Sequence, residues 1–315
     1  MKSLLRFHEA VIVSLFTLVM FAGTLAVAQT ETVLYSFPVL PGGLTDGNPY
    51  AGPILDSRGN LYGTTVNGGA YNHGSVFELS RSNGLWVEKD LHSFNSDGKD
   101  GVSPYSSLAM DPSGNLYGTT YIGGGYNLGT VFELHPNADG SWTEKVLHSF
   151  NANGSDGCNP YANLIFDKSG NLYGTTYAGG NQGAGTVFEL SRKNGVFQER
   201  VILRFDNTDG SGPYGGLVFD LHGNLYGTTQ YGGTGQGVVF RMTRGANGVW
   251  SVRSIYNFSA GAGGWAPYAG LVIDKAGNLY GTTIYGGNLG SGTVFELASV
   301  QGKWRRPVPL RTTST

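Results

Sequence analysis

The residues of this chain best suited to meet a ligand are aromatic. Tyr121, Tyr177, Tyr231 and Tyr285 each stand at the first or second position after a Thr-Thr pair. Tyr71, Tyr126 and Trp265 lie in related Gly-rich segments. Rings set beside Asn and Thr suit a sugar, whose C–H face packs on an aromatic ring while its hydroxyls take polar partners. These seven residues are the candidate ligand-binding set. The competing reading is that the tyrosines pack across neighbouring loops and set their spacing. A second series, Tyr50, Tyr105, Tyr161, Tyr214 and Tyr268, follows a proline each time and is read as architectural.

The ionisable residues form no recognisable catalytic set. Asp56, Asp111, Asp167, Asp220 and Asp274 precede Gly-Asn turns, where a carboxylate caps its own turn. Glu78, Glu133, Glu189 and Glu296 recur in strand-like segments and are expected to face basic neighbours. A catalytic dyad needs two carboxylates in different environments, whereas residues repeated around a scaffold share one. An active site would have to break the repetition, and the breaks are few: Arg241, His222, Trp265 and His73. No H-E-x-x-H, P-loop or G-x-S-x-G motif occurs. His92 and His148 occupy one strand position and are read as half-buried structural residues rather than a metal pair. Asn95-Ser-Asp97-Gly-Lys-Asp100 and Asp206-Asn-Thr-Asp209 place oxygens at short intervals, as a Ca²⁺ loop would. They lack the full pattern and are read as ordinary turns. No catalytic residue, metal ligand or cofactor is therefore assigned, with Ca²⁺ as the only candidate ion.

The elements that position these residues come from an internal repeat. Gly-Asn-Leu-Tyr-Gly-Thr-Thr occurs five times, beginning at Gly59, Gly114, Gly170, Gly223 and Gly277. Each unit holds four strand-like pieces. One follows Pro-Tyr, one is Asn-Leu-Tyr-Gly-Thr-Thr, one resembles Thr186-Val-Phe-Glu-Leu190, and one resembles Trp142-Thr-Glu-Lys-Val-Leu-His-Ser-Phe150. Tight Gly-containing turns and longer Gly-Gly loops alternate between them. Four short antiparallel strands in such a period describe one blade of a β-propeller. A blade exposes two apolar faces and is stable only between neighbours. An open β solenoid is the rival architecture. Thr30-Glu-Thr-Val-Leu-Tyr-Ser-Phe37 repeats the fourth piece before any complete unit, while Pro307 and Pro309 interrupt the last one. The expected fold is thus all-β, a five-bladed propeller closed by residues 31–37 pairing with Thr293–Leu297. A hybrid or truncated larger ring is the alternative. In an up-and-down blade, the Gly-Gly loops and the loops entering the first strand share one face, where binding by scaffolded loops is expected.

Composition bounds the rest. Gly contributes 52 of 315 residues and charged residues only 13%, with 12% aromatic. Hydrophobic content of 40% and a net charge of −2 exclude an extended disordered chain. No basic block is present, so nucleic acid is not an expected partner. Lys2 and Arg6, the apolar run Val11–Leu25 and Ala26-Val27-Ala28 read as a secretory signal peptide spanning 1–28. Residues 29–310 are read as one domain and 311–315 as a disordered tail. The mature chain is expected to be secreted, extracellular or periplasmic, with no membrane span. Cys158 is the one cysteine, so no intramolecular disulfide forms.

The unit as a whole is Asp-Gly, Pro-Tyr, Gly-Asn-Leu-Tyr-Gly-Thr-Thr, Gly-Gly, Gly-Thr-Val-Phe-Glu-Leu, then Trp and Leu-x-Ser-Phe. It resembles the GloVer (Gloeobacter/Verrucomicrobia) tandem-repeat family of exported bacterial proteins over 30–304. Its second strand is also similar to that of NHL propeller repeats. The resemblance implies an extracellular, propeller-like protein and brings no established activity, cofactor or catalytic residue. The expected function is a binding or interaction module, for glycans through the aromatic loops. A structural or protein-interaction role at the cell surface or matrix is the alternative. An enzyme acting on polysaccharide or a lactone is ranked below both.

Overall fold

The computed structural model describes residues 31–38, 47–300 and 303–305. The expected leader at 1–28 and tail at 311–315 lie outside the described residues. Residues up to Ser36 and residues from Phe37 onward form separate units. Each repeat builds one antiparallel sheet. The third is representative: Ile165–Phe166, Leu172–Thr176, Thr186–Lys193 and Val196–Arg204, paired in chain order. The first strand of every sheet has two residues, whereas the third and fourth of the first four sheets have seven to nine. The fifth sheet takes an additional edge strand, Trp265–Pro267, onto Leu279–Tyr285.

Every position of the recurring heptapeptide has a physical task. The Gly before Asn adopts a positive φ, +81° at Gly170, so that the turn can close. Asn171 donates through backbone and side chain to Asp167. Leu172 is fully buried. Gly174 lies opposite Phe188 in register, and a β-carbon there would come within 2.5 Å of the Phe188 ring. Thr175 Oγ1 donates to the Gly215 carbonyl of the next repeat. Thr176 Oγ1 meets Thr186 Oγ1 at 2.8 Å within its own sheet. One threonine therefore ties neighbours together and the other ties strands.

The core consists of seams between successive sheets rather than one central mass. Tyr117 and Val131 of the second sheet pack with Leu172, Phe188 and Leu190 of the third. Phe150, which ends the second sheet's last strand region, sits edge-on to Phe188 at 5.2 Å. The same contact recurs as Phe94–Phe132, Phe205–Phe240 and Phe258–Phe295. In the first four sheets the third strand is thus buried on both faces, its Phe and Val serving different seams, whereas Val294 of the fifth is exposed. Sheets with two apolar faces must stack, as the repeat implied.

The expected closure is not shown among the described residues. Residues 31–38 carry no strand. Lys303–Arg305 pairs with Ala298–Val300 at the end of the fifth sheet's third strand, beyond Leu297. Pro307 and Pro309 lie outside the described residues. Phe37 sits edge-on to Phe77 of the first sheet at 5.1 Å, as Phe94 does to Phe132.

Candidate functional site

The up-and-down course of each sheet sends its two Gly-rich loops to the same end. They meet there as small ladders: Gly101–Val102 pairs with Ile122–Gly123, and Gly157–Cys158 with Ala178–Gly179. Ser211 and Tyr231 form the corresponding bridge in the fourth repeat. The residue after Thr-Thr and the one following it therefore point to opposite sides of a ladder.

That alternation divides the sequence-derived tyrosines. Tyr121 and Tyr177, at the first position, turn toward the Pro-Tyr rings. Tyr121 lies 5.7 Å from Tyr105 and 5.2 Å from Tyr161, and Tyr177 lies 4.5 Å from Tyr214. Tyr231 and Tyr285, at the second position, are each 45% exposed. Tyr285 stacks on Trp265 at 4.4 Å, beside an open pocket of about 530 Å³ that also includes Gly261 and Asn288. Tyr71 and Tyr126 sit at loop tips, mostly exposed. The seven candidates thus fall into an inward group, a Trp265–Tyr285 stack, the exposed Tyr231 ring and two loop-tip rings.

The Pro-Tyr series, read from sequence as architectural, is the feature that reading undervalued. Tyr50, Tyr105, Tyr161, Tyr214 and Tyr268 follow one another at centroid distances of 5.3, 4.6, 5.0 and 4.0 Å. Five repeats contribute one ring each, and Tyr121 and Tyr177 add two more. Tyr50 is 63% exposed and the other four are half-buried. Burial, then hydrogen bonding with Tyr268 and Tyr177, pushes the Tyr214 phenol well above its ordinary value. Burial likewise raises Tyr161, with neighbouring tyrosines adding to it. A phenol can both pack through its ring and exchange hydrogen bonds. The available signal was position: the first strand of each blade-like unit heads its sheet, so residues before it approach their counterparts.

The repeated carboxylates are engaged in the fold. Asp111 accepts from Ser113, from Asn115 twice and from Tyr117. Burial opposes ionisation, but these bonds outweigh it and hold Asp111 below the usual carboxylate range. Tyr173 Oη donates to Glu189 Oε1 at 2.8 Å, with Asp167 Oδ2 at 3.3 Å. Arg200 completes the Glu189 contact, and Arg192 reaches Glu133, so the expected basic neighbours are present alongside tyrosine. Arg241, which replaces Glu in the fourth sheet, lies over Tyr226. Tyr173→Phe removes a buried donor between two carboxylates. It should cost about 1–3 kcal/mol in urea unfolding, whereas Tyr126→Phe at an exposed loop tip should be neutral.

The two loops with Ca²⁺-like spacing use their oxygens internally. Asp97 Oδ1 accepts from the amides of Lys99 and Asp100, and Asp206 Oδ1 from those of Thr208 and Asp209. At the opposite end of the sheets, His222 is exposed and borders a pocket of about 390 Å³ with Leu221, Arg244 and Trp250.

His92 and His148 are half-buried, and they lie in different seams. A register shift before each, between Val76 and Phe77 and between Val146 and His148, marks a bulge that re-aims the strand. His92 Nε2 lies 3.1 Å from Asp100 Oδ2, and His148 Nε2 lies 3.1 Å from Asp156 Oδ2. Glu144 and Glu199, from the next sheets, bring one buried carboxylate oxygen each that has no hydrogen-bond partner among the described residues. Burial pushes both carboxyls up to about 7.

Two solved structures share this fold. One is the extracellular domain of BT4673 from B. thetaiotaomicron, described as a one component system. It gives a TM-score of 0.51 at 11% identity, over 87% of this chain and 29% of that one. The other is the extracellular domain of BT4673 described as a hybrid two component system, with a TM-score of 0.50 at 14% identity, over 86% and 30%. The chain therefore spans less than a third of either, and at such identity the likeness shows the fold alone. No curated protein matches the chain. No helix among the described residues is long and apolar enough to cross a membrane. The Gloeobacter/Verrucomicrobia repeat model matches residues 19–199 and 198–313, so the tandem units described above place this chain in that repeat family.

Proposed function

We propose that this protein is an exported binding module whose ligand face is the loop end carrying the tyrosine series, and that its ligands are glycans. One observation carries the reading: seven tyrosines from five repeats meet at one end of the sheets in edge-on, tilted and stacked contacts, all but Tyr50 half-buried. Such a surface offers aromatic faces to sugar C–H groups and phenols to sugar hydroxyls. The engagement of the repeated carboxylates by turns and tyrosines favours binding over catalysis. The extracellular setting of both BT4673 domains accords with export. The five sheets act as blades of one ring in this reading. In support, Tyr50 of the first repeat lies near enough to Tyr268 of the fifth to act on its ionisation.

The test is thermal unfolding against soluble oligosaccharides. A ligand at 100 times its Kd should add about 2.7 kcal/mol of stability, a shift of a few degrees for a domain of this size. The gain should vanish in Tyr121→Ala/Tyr177→Ala and persist in Tyr126→Ala. Trp265→Ala reports whether the Trp265–Tyr285 stack extends the site. Absence of any shift across the panel would overturn the glycan assignment and favour a protein-contact role for the same face.

A further inference from the structure

We propose that His148, Asp156 and Glu199 form a binding site for a divalent transition-metal ion of the zinc class, clasping the seam between the second and third sheets. The three come from three places: the end of the second sheet's last strand, the loop that follows it, and the last strand of the third sheet. Their ligand atoms all lie within 4.8 Å of one another. Donors around one zinc ion at ~2.0–2.2 Å stand about 3–4 Å apart, so a small rotation of Glu199 completes the set. The 3.1 Å spacing of His148 Nε2 and Asp156 Oδ2 already matches two adjacent ligands.

Three further features point to a cation. First, Glu199 Oε1 is buried without a partner. A carboxylate taken from water normally finds a donor or a positive charge. Arg204 acts on it through its charge but makes no hydrogen bond to it, its Nε donating to the Ser155 carbonyl. Second, Asp156 is oriented by backbone amides, with Asn151 donating to Oδ2 and Gly157 to Oδ1. Such outer bonds aim a metal-binding carboxylate. Third, the same residue types recur one seam earlier as His92, Asp100 and Glu144, again with a buried, unpartnered glutamate oxygen, while only the His148 set brings its three ligand atoms within 4.8 Å of one another. At the following seam the chain carries Leu203 and Val252 where histidine and glutamate would stand. The repeat therefore forms its seam without these groups, and the polar set is an addition to it. One imidazole with two carboxylates suits zinc, whereas Ca²⁺ wants six to eight oxygens.

The experiment is equilibrium dialysis of the EDTA-stripped protein against Zn²⁺ alone, with metal counted by mass spectrometry and Ca²⁺ as competitor. Wild type should bind zinc and rise in Tm. His148→Ala should lose one equivalent. Glu199→Gln keeps the shape and removes the charge. It should weaken that equivalent at least tenfold while leaving the metal-free Tm unchanged or higher, which separates a ligand from a merely structural residue. No zinc uptake by wild type, wild-type stoichiometry and affinity in both variants, or equal displacement by Ca²⁺ would each overturn the assignment.

Discussion

Gly174→Ala should destabilise the protein by about 3 kcal/mol, one of the two largest effects expected here. The added methyl would stand 2.5 Å from Phe188 Cζ and 2.8 Å from Leu164 Cδ2. Both neighbours are almost completely buried. Overpacking a filled core typically costs 1–3 kcal/mol, and this residue is confined on one side by its own sheet and on the other by the seam. The backbone at Gly174 is ordinary strand, so the cost is steric. Gly170→Ala supplies the contrast. A β-carbon there meets nothing within 4 Å, but φ is +81°, so the loss should be conformational and nearer 1 kcal/mol. Urea denaturation of both variants checks the pair. Phe188→Leu should recover part of the Gly174→Ala loss by removing the ring edge that clashes. A loss below 1 kcal/mol in Gly174→Ala would contradict the close approach.

In EDTA, stability should fall between pH 5 and pH 8, by about 2 kcal/mol for each of Glu144 and Glu199. Their folded values of about 7 lie above the unfolded 4.5. Between those limits the unfolded chain has released protons that the folded chain still holds, so rising pH favours unfolding. The full shifts would correspond to roughly 3.4 kcal/mol each, reduced here because both side chains are partly solvated. His92 acts in the same direction. Burial lowers its value, but the hydrogen bond and charge of Asp100, with Glu144 and Asp90, raise it above the ordinary imidazole range. Its contribution is complete below the unfolded value and is lost as pH passes the folded one. The turn aspartates do not offset this. Asp111 and Asp220 are held below the usual range, so their contribution disappears only when pH drops further. Melting curves at pH 5 and 8 should show the difference, and Glu144→Gln/Glu199→Gln should flatten it. A level profile in wild type, or an unchanged slope in the double variant, would contradict the assignment.

What could be read from the chain follows from which interactions are local in each unit. The turn from Asp167 to Asn171, the strand Leu172–Thr176 and the pairing of Gly174 with Phe188 lie within one repeat. Their residue types are dictated by φ, by a hydrogen bond or by a close approach, and each demand appears five times over. The four-strand unit and the burial of both its faces were therefore legible. Closure was not. It depends on residues 31–37 meeting Thr293–Leu297 across the whole chain, and the pairing that is seen there, Lys303–Arg305 with Ala298–Val300, is a local hairpin that lies beyond that stretch.

The candidate sites divide along the same line. That loops from successive units share one end follows from strand alternation and is visible in the repeat. Which tyrosines meet is decided by a one-residue offset: Tyr121 and Tyr177 stand at the first position after Thr-Thr, Tyr231 and Tyr285 at the second. The cluster of His148, Asp156 and Glu199 spans 51 residues and two sheets, and no local pattern joins its members. By itself the sequence determined the repeat, its turns and the apolar faces that force stacking, because these rest on interactions within one unit. The tertiary structure decided the tyrosine series and the polar seam, because both arise only where neighbouring units bring their side chains into contact.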